Sequence, residues 1–196
     1  KKRYLNGCLK PQLEKSQLVN VTATTLWIEP EIHRTLDAPS LTTPVELEKW
    51  TKSMNVDQKL WLVGKLETQA LYGQEITVLQ SKGDWVEVAV HDQATPKNAV
   101  GYPGWIPASH LNEIETAYQD CKLAIIDANT TTLYHNASFT NPFKDISFNT
   151  RLPVVKEGAN WIKVYTPSNE FKYLKKEDVV IFDNENSIPT PKPEDV

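Results

Sequence analysis

Cys121, in the stretch "QDCKLAII", follows an aspartate and leads into an apolar run, and it is the nearest approach to a nucleophile in the chain. A reactive thiolate needs an electropositive, exposed setting such as a helix N-terminus, with a base and an orienting group in reach. Here the thiol runs into "LAIID", which reads as a strand, so it is expected to be inert. His33, His91, His110 and His135 stand singly instead of at ligand spacing, which argues against a structural metal. No G-x-S-x-G, H-E-x-x-H, phosphate-cradling glycine loop or dinucleotide fingerprint occurs. Neither metal nor other cofactor is expected. Cys8 and Cys121 are expected as free thiols, with a single disulfide as the alternative. A different puzzle is "GYPGWIPASHL", Gly101 to Leu111, which sets Tyr102 between two glycines and a proline just ahead of an apparently buried strand.

What must position these residues follows from composition and pattern. The 196 residues are 40% hydrophobic and 23% charged, the balance of a globular chain with room for two small domains. A net charge of −4 argues against nucleic acid or an anionic membrane as main partner. Neither end carries a long apolar run, so no membrane span is expected. The first residue is Lys, which suggests a processed or trimmed chain.

An internal repeat organises the rest. "TTLW" at Thr24 to Trp27 returns as "TTLY" at Thr131 to Tyr134. "ITVLQSKGDWVEV" from Ile76 returns as "LPVVKEGANWIKV" from Leu152, each with the alternation and turn of a hairpin. "GWIPASHL" returns as "KYLKKEDV", setting Trp105 against Tyr173 and Leu111 against Val179. Short strands and frequent turns predict an all-β protein of two small antiparallel barrels. The expected division is an N-terminal arm over 1–17, a first barrel over 18–115, a second over 116–185, and a proline-rich linker over 186–196.

The first copy holds a long insert that the second lacks. In "TPVELEKW", Thr43 is expected to cap a helix with Pro44 first and Glu46 completing a capping box. Leu47, Trp50 and Met54 then share one face and are read as cover for a core. A second short helix is expected from Asn55 to Gly64, with Leu60, Trp61 and Val63 as its apolar positions. The helical insertion thus spans about 43–64. The tail "NSIPTPKPEDV" has prolines at every second position and reads as an extended connector.

The order "VNVTATTLW", "LEKWTKSM", "KLWLVGKLETQALYGQEITVLQSKGDWVEVAV" and "GYPGWIPASHL" resembles the N-terminal bacterial SH3-like (SH3b) module of YkfC-type γ-D-glutamyl-L-diamino-acid endopeptidases, of the NlpC superfamily of cysteine peptidases. The second repeat resembles their plainer second module, and the tail their linker to a papain-like catalytic domain. The resemblance implies two tandem SH3-like barrels that help a peptidase cleave L-Ala-γ-D-Glu-L-diamino-acid muropeptides. In that family a D-C-S-G motif supplies the nucleophile. Here Lys122 and Leu123 stand where Ser and Gly should follow Cys121, so this chain is not expected to hydrolyse anything alone. The expected partners are a muropeptide or peptidoglycan stem peptide and an NlpC-type catalytic domain beyond the final residue. The cell envelope or the outside of the cell is the expected location, with cytoplasmic recycling as the alternative.

The family's first module is thought to receive the free amino terminus of the peptide. The corresponding positions are Glu67 in "KLETQALYG" and Tyr102 in "GYPGW". An ammonium brings a full charge and three donors, and enclosing it is costly unless a counter-charge and acceptors meet it. Tyr102 is expected on a stiff loop beside the barrel, with Trp105 anchoring the next strand in the core. Trp61 and Tyr72 are either further lining or plain core. Two other readings compete: a stand-alone peptidoglycan-binding module, and a generic SH3-like binder of polyproline, of whose "ALYDY" motif "ALYG" keeps only part.

Overall fold

A computed structural model of the protein describes residues 7–91, 101–183 and 187–188. It divides into two compact units, one over Lys15–Ile114 and one that joins the described residues through Glu14 to those from Glu115 onward. The proline-rich tail falls almost wholly outside the described residues.

The first sheet contains β1 (Lys10–Val19), β2 (Ala23–Trp27), β3 (Leu66–Leu71), β4 (Glu75–Lys82), β5 (Trp85–Val90), β6 (Tyr102–Pro107) and β7 (Leu111–Ala117). Its order is β3-β2-β6-β5-β4-β1-β7. The second contains β8 (Lys122–Ile126), β9 (Thr130–Tyr134), β10 (Pro142–Ser147), β11 (Arg151–Glu157), β12 (Trp161–Tyr165), β13 (Phe171–Lys175) and β14 (Val179–Phe182). Its order, β10-β9-β13-β12-β11-β8-β14, repeats the first strand for strand. The recorded neighbours are antiparallel, and the chain is an all-β protein of two SH3-like barrels.

The sequence repeat reappears as register. Trp27 pairs with Trp105 in the first sheet, and Tyr134 with Tyr173 in the second. Both central hairpins carry a bulge at one place, between Val78 and Gln80 in β4 and between Val154 and Lys156 in β11. Each last strand is entered through a 3₁₀ turn, Ala108–His110 or Lys176–Asp178. At those turns Thr24 Oγ1 meets His110 Nδ1 at 2.8 Å, and Thr131 Oγ1 donates to Asp178 Oδ2 at 2.7 Å.

Successive strand residues face opposite ways, so Leu26 and Trp27 enter different clusters. Leu26 joins Val19, Val21, Ala70, Ile76, Val86, Val88, Val90 and Ile106 in the core of the first barrel. Trp27 joins Trp85 and Trp105 in a second cluster, covered by Ile32, Leu41, Trp61, Leu62 and Leu66 from the insert and the start of β3. Trp105 is therefore buried as expected, though under the insert. In the second unit β9 and β10 are joined by a short turn, and Tyr134, Trp161 and Tyr173 at the matching positions are only half-buried.

The insert departs from expectation at both helices. Helix α1 spans Leu47–Ser53 and is capped at Glu46, not Thr43. Residues 42–46 instead close the preceding 3₁₀ turn (Thr35–Ser40): Thr42 Oγ1 donates to the Pro39 and Pro44 carbonyls, and the Glu46 N–H donates to Pro39. Pro44 follows a cis peptide bond outside the helix. Helix α2 covers only Val56–Leu60, with Asn55 and Gln58 forming the capping box. Beyond Leu60 the bonds tighten to a three-residue spacing, Val63 to Leu60 and Lys65 to Leu62, and the helix stops before Gly64. Leu60 and Val63 are exposed, and of the expected apolar positions only Trp61 packs inward.

Trp50 and Met54 are buried as cover, and Leu47 partly so. Trp50 does more, since its indole N–H donates to Asp37 Oδ1 at 2.9 Å. Asp37 is fully buried and also accepts from the Arg34 backbone N–H at 2.7 Å, Nε at 3.1 Å and Nη2 at 3.0 Å. Arg34 extends the clamp to the Gln58 carbonyl at 2.8 Å and stacks 4.1 Å from the centre of the Trp61 ring. Burial pushes the Asp37 carboxyl upward, but the hydrogen bonds from Arg34 and Trp50 outweigh it and hold its pKa below the usual value.

The cysteines correct another expectation. Cys8 and Cys121 form a disulfide, and the Lys10–Asp120 ion pair lies beside it. Cys8 precedes β1 and Cys121 closes the turn before β8; with the two 113 positions apart in sequence, their meeting is a long-range event.

Candidate functional site

Glu67 and Tyr102 come together: the Tyr102 hydroxyl donates to Glu67 Oε2 at 2.6 Å. Both side chains are partly buried. Between β2 and β3, Leu26 pairs with Thr68 but Trp27 with Leu66, so Glu67 is the extra residue of a bulge. Bulges re-aim a side chain that regular pairing would hold on one face. Nothing in "KLETQAL" announces this one, because it shows only in how β3 registers against β2.

Tyr102 is not on a loop. It is the first residue of β6 and pairs with Val90, while Pro103 pairs with Ala89. A proline fits there because β6 is paired to β2 only at Trp105, so no N–H is required of residue 103 on that side. The two glycines of the opening puzzle are explained by close approach. A Cβ on Gly101 would lie 2.0 Å from the Val90 carbonyl oxygen, and one on Gly104 2.6 Å from Leu26 Cβ. The glycines therefore let β6 lie tight on β5 and on the core, and this fixes where the phenol begins.

The other nominated residues separate. Tyr72 is fully buried in the core. Trp61 is half-buried between cations, with Arg34 at 4.1 Å and Lys65 at 4.3 Å from its ring. Cys121 is held in its disulfide and offers no thiolate. Sequence reasoning missed the Arg34–Asp37–Trp50 clamp, which secures the insert over the tryptophan cluster; a lone acid in a short connecting stretch carries no signal of burial.

A carboxylate and a phenol at this spacing make a small polar cradle. A phenol that donates its one proton to a carboxylate presents its oxygen as an acceptor, and the pair suits a compact multi-donor cation.

Both barrels have counterparts among known proteins. Residues 64–111 match the model of the bacterial dipeptidyl-peptidase Sh3 domain, and residues 126–182 that of the YKFC SH3b2 domain. A gamma-D-glutamyl-L-lysine dipeptidyl-peptidase of Bacillus cereus is 43% identical over 187 residues, covering 93% of this chain and 56% of the relative. One from Bacillus subtilis is 29% identical over 159 residues, covering 79% of this chain and 52% of the relative. The chain thus spans about half the length of these relatives. A crystal structure of an NlpC/P60 family protein from Bacillus cereus superposes with a TM-score of 0.81 at 42% identity, covering 93% of this chain and 61% of that one.

Proposed function

This chain carries the paired SH3b-type modules of the YkfC kind, and from that premise we propose that it is the substrate-recognition portion of a muropeptide endopeptidase. Its task is to receive the free amino terminus of an L-Ala-γ-D-Glu-diamino-acid peptide. The single observation that supports this most is the 2.6 Å contact between Tyr102 and Glu67. The pair would meet the ammonium of the peptide: Glu67 supplies the charge and Tyr102 an acceptor oxygen, so the cost of dehydrating the cation is offset. Because Glu67 sits on a bulge and Tyr102 on a paired strand, little is left to order on binding. Cleavage is the work of an NlpC-type catalytic domain.

A free ammonium is the distinguishing group, so peptides whose L-Ala is still amide-linked to muramic acid are excluded. The enzyme then acts on released fragments. The test is turnover by a version joined to its cysteine-peptidase domain, on free and muramoyl-linked peptides side by side. The free peptide is expected to be consumed and the linked one spared; equal rates would refute the reading. The Cys8–Cys121 bridge supports a working place at the cell envelope or outside the cell, since disulfides persist in oxidising compartments.

A further inference from the structure

Trp105 and Tyr173 hold the same place in their sheets, as the residues through which β6 and β13 pair with β2 and β9. Counting back from them, Tyr102 corresponds to Glu170 and Gly104 to Lys172. Backbone bonding agrees: Tyr102 pairs with Val90 at the end of β5, and the Thr166 N–H, just past β12, donates to the Glu170 carbonyl at 3.0 Å. The bulge also recurs. Tyr134 pairs with Pro142 and Leu133 with Lys144, leaving Phe143 as the extra residue where the first barrel has Glu67. The second barrel thus keeps a carboxylate and an aromatic ring at the two positions, with their places exchanged.

Between them lies an ammonium that the chain itself supplies. Lys172 Nζ is 2.6 Å from Glu170 Oε2 and 4.7 Å from the centre of the Phe143 ring. Lys172 is only 5% exposed. The ring is flanked by His135 at 5.2 Å and by Lys144 Nζ at 5.6 Å. At the matching position the first barrel has Gly104, where even a Cβ would meet Leu26.

We propose that the Glu170–Phe143 cradle is an ammonium site kept filled by Lys172, and that removing this side chain opens it to a small primary alkylammonium from solution. Its likeness to the Glu67–Tyr102 site rests on the function proposed above; the cradle around Lys172 does not. A tethered ammonium is present at high effective concentration, so a free one does not displace it. The carboxylate and the ring face supply charge and cation–π attraction.

Propylammonium replaces the atoms from Cγ to Nζ that Lys172→Ala removes. Thermal melts of K172A in propylammonium chloride and in sodium chloride at equal ionic strength make the test. Propylammonium should restore about half or more of the lost Tm, rising with the logarithm of its concentration as ligand binding to the folded state requires. The wild type and K172A combined with Glu170→Gln should not respond. A K172A protein that melts alike in both salts, or a recovery that survives E170Q, overturns the proposal. Should K172A fail to fold, nitrogen-15 NMR of the lysine ammonium groups in the wild type decides. Lys172 should exchange its protons more slowly than the exposed Lys156, and faster in E170Q; exchange as fast as that of Lys156 overturns the proposal. Neither readout involves a peptide, so the role of Glu67 in muropeptide turnover stands or falls separately.

Discussion

Cys8 is bonded to Cys121 across 113 residues of chain. A cross-link closing so long a loop restricts the unfolded chain strongly, and losing it typically costs about 2 to 4 kcal/mol. Urea unfolding of the C8S/C121S protein should show a clearly lower midpoint than the oxidised wild type. Reductant should move the wild type toward the variant, and coincident curves for all three would remove the bridge as a source of stability.

Glu67→Gln keeps the shape of the side chain and removes its charge, while Tyr102→Phe removes only the hydroxyl. Hydrogen bonds to charged groups are worth about 1.5 to 3 kcal/mol, so under the proposed function each change, made in a version joined to its cysteine-peptidase domain, should raise KM for free muropeptides by roughly tenfold or more. The fold should be little affected. Unchanged KM in both variants, with circular dichroism intact, would show that the pair does not meet the substrate.

Gly101→Ala places a methyl group 2.0 Å from the Val90 carbonyl oxygen, which is backbone and cannot swing aside. The end of β6 has to separate from β5, at a cost of about 1 to 3 kcal/mol, and Tyr102 is carried away from Glu67. Loss of thermal stability together with a raised KM in the version joined to its peptidase domain is the expected signature. A variant weakened in stability but with normal KM would dissociate the glycine from the positioning of the phenol.

Asp37→Ala leaves the Arg34 guanidinium, 19% exposed, without its counter-charge and the Trp50 indole N–H without its acceptor. Removing one partner of a largely buried pair costs about 3 kcal/mol or more. Residues 28–65 should become the first site of limited proteolysis, and tryptophan emission should shift to the red as the insert lifts from Trp27, Trp85 and Trp105. An unaltered proteolysis pattern would rule out the clamp.

His110 is buried, with Nδ1 facing Thr24 Oγ1 and Nε2 within 3.1 and 2.9 Å of the Leu41 and Thr42 carbonyls. Carbonyls only accept, so Nε2 carries the proton and Nδ1 accepts from the threonine. Burial lowers its pKa below the ordinary 6.5, against the raising effect of the two carbonyls. A histidine lowered in the folded state contributes stability that is fully present above its unfolded pKa and is lost as pH falls through that value toward the folded one. Tm should therefore decline between roughly pH 7 and pH 5, and the decline should be shallower in His110→Gln. Parallel pH profiles in the two proteins would exclude His110 as the cause.

Much of the architecture was legible because it rests on short-range pattern. Alternation through "ITVLQSKGDWVEV" and its copy predicts two hairpins, and both are present with matching bulges. The pairing of Trp105 with Tyr173 in the sequence repeat became equivalence of strand position. The ends of the insert were misread where tertiary bonds overrode local signals: the Thr43–Pro44–Glu46 motif has the composition of a helix start, yet its backbone is used to close the turn before it.

By itself, the sequence determined that the chain is β-rich, that it is built twice on one plan, and that one copy carries extra residues, since alternation, turns and repeats are properties of neighbouring residues. Only the tertiary structure decided that Cys8 meets Cys121, that Glu67 is thrown toward Tyr102, and that Lys172 reaches Glu170 and Phe143 in the second barrel where the first has Gly104. Those outcomes depend on which strands pair and where their register slips by one residue. A one-residue slip redirects a side chain without leaving any mark on the residues around it.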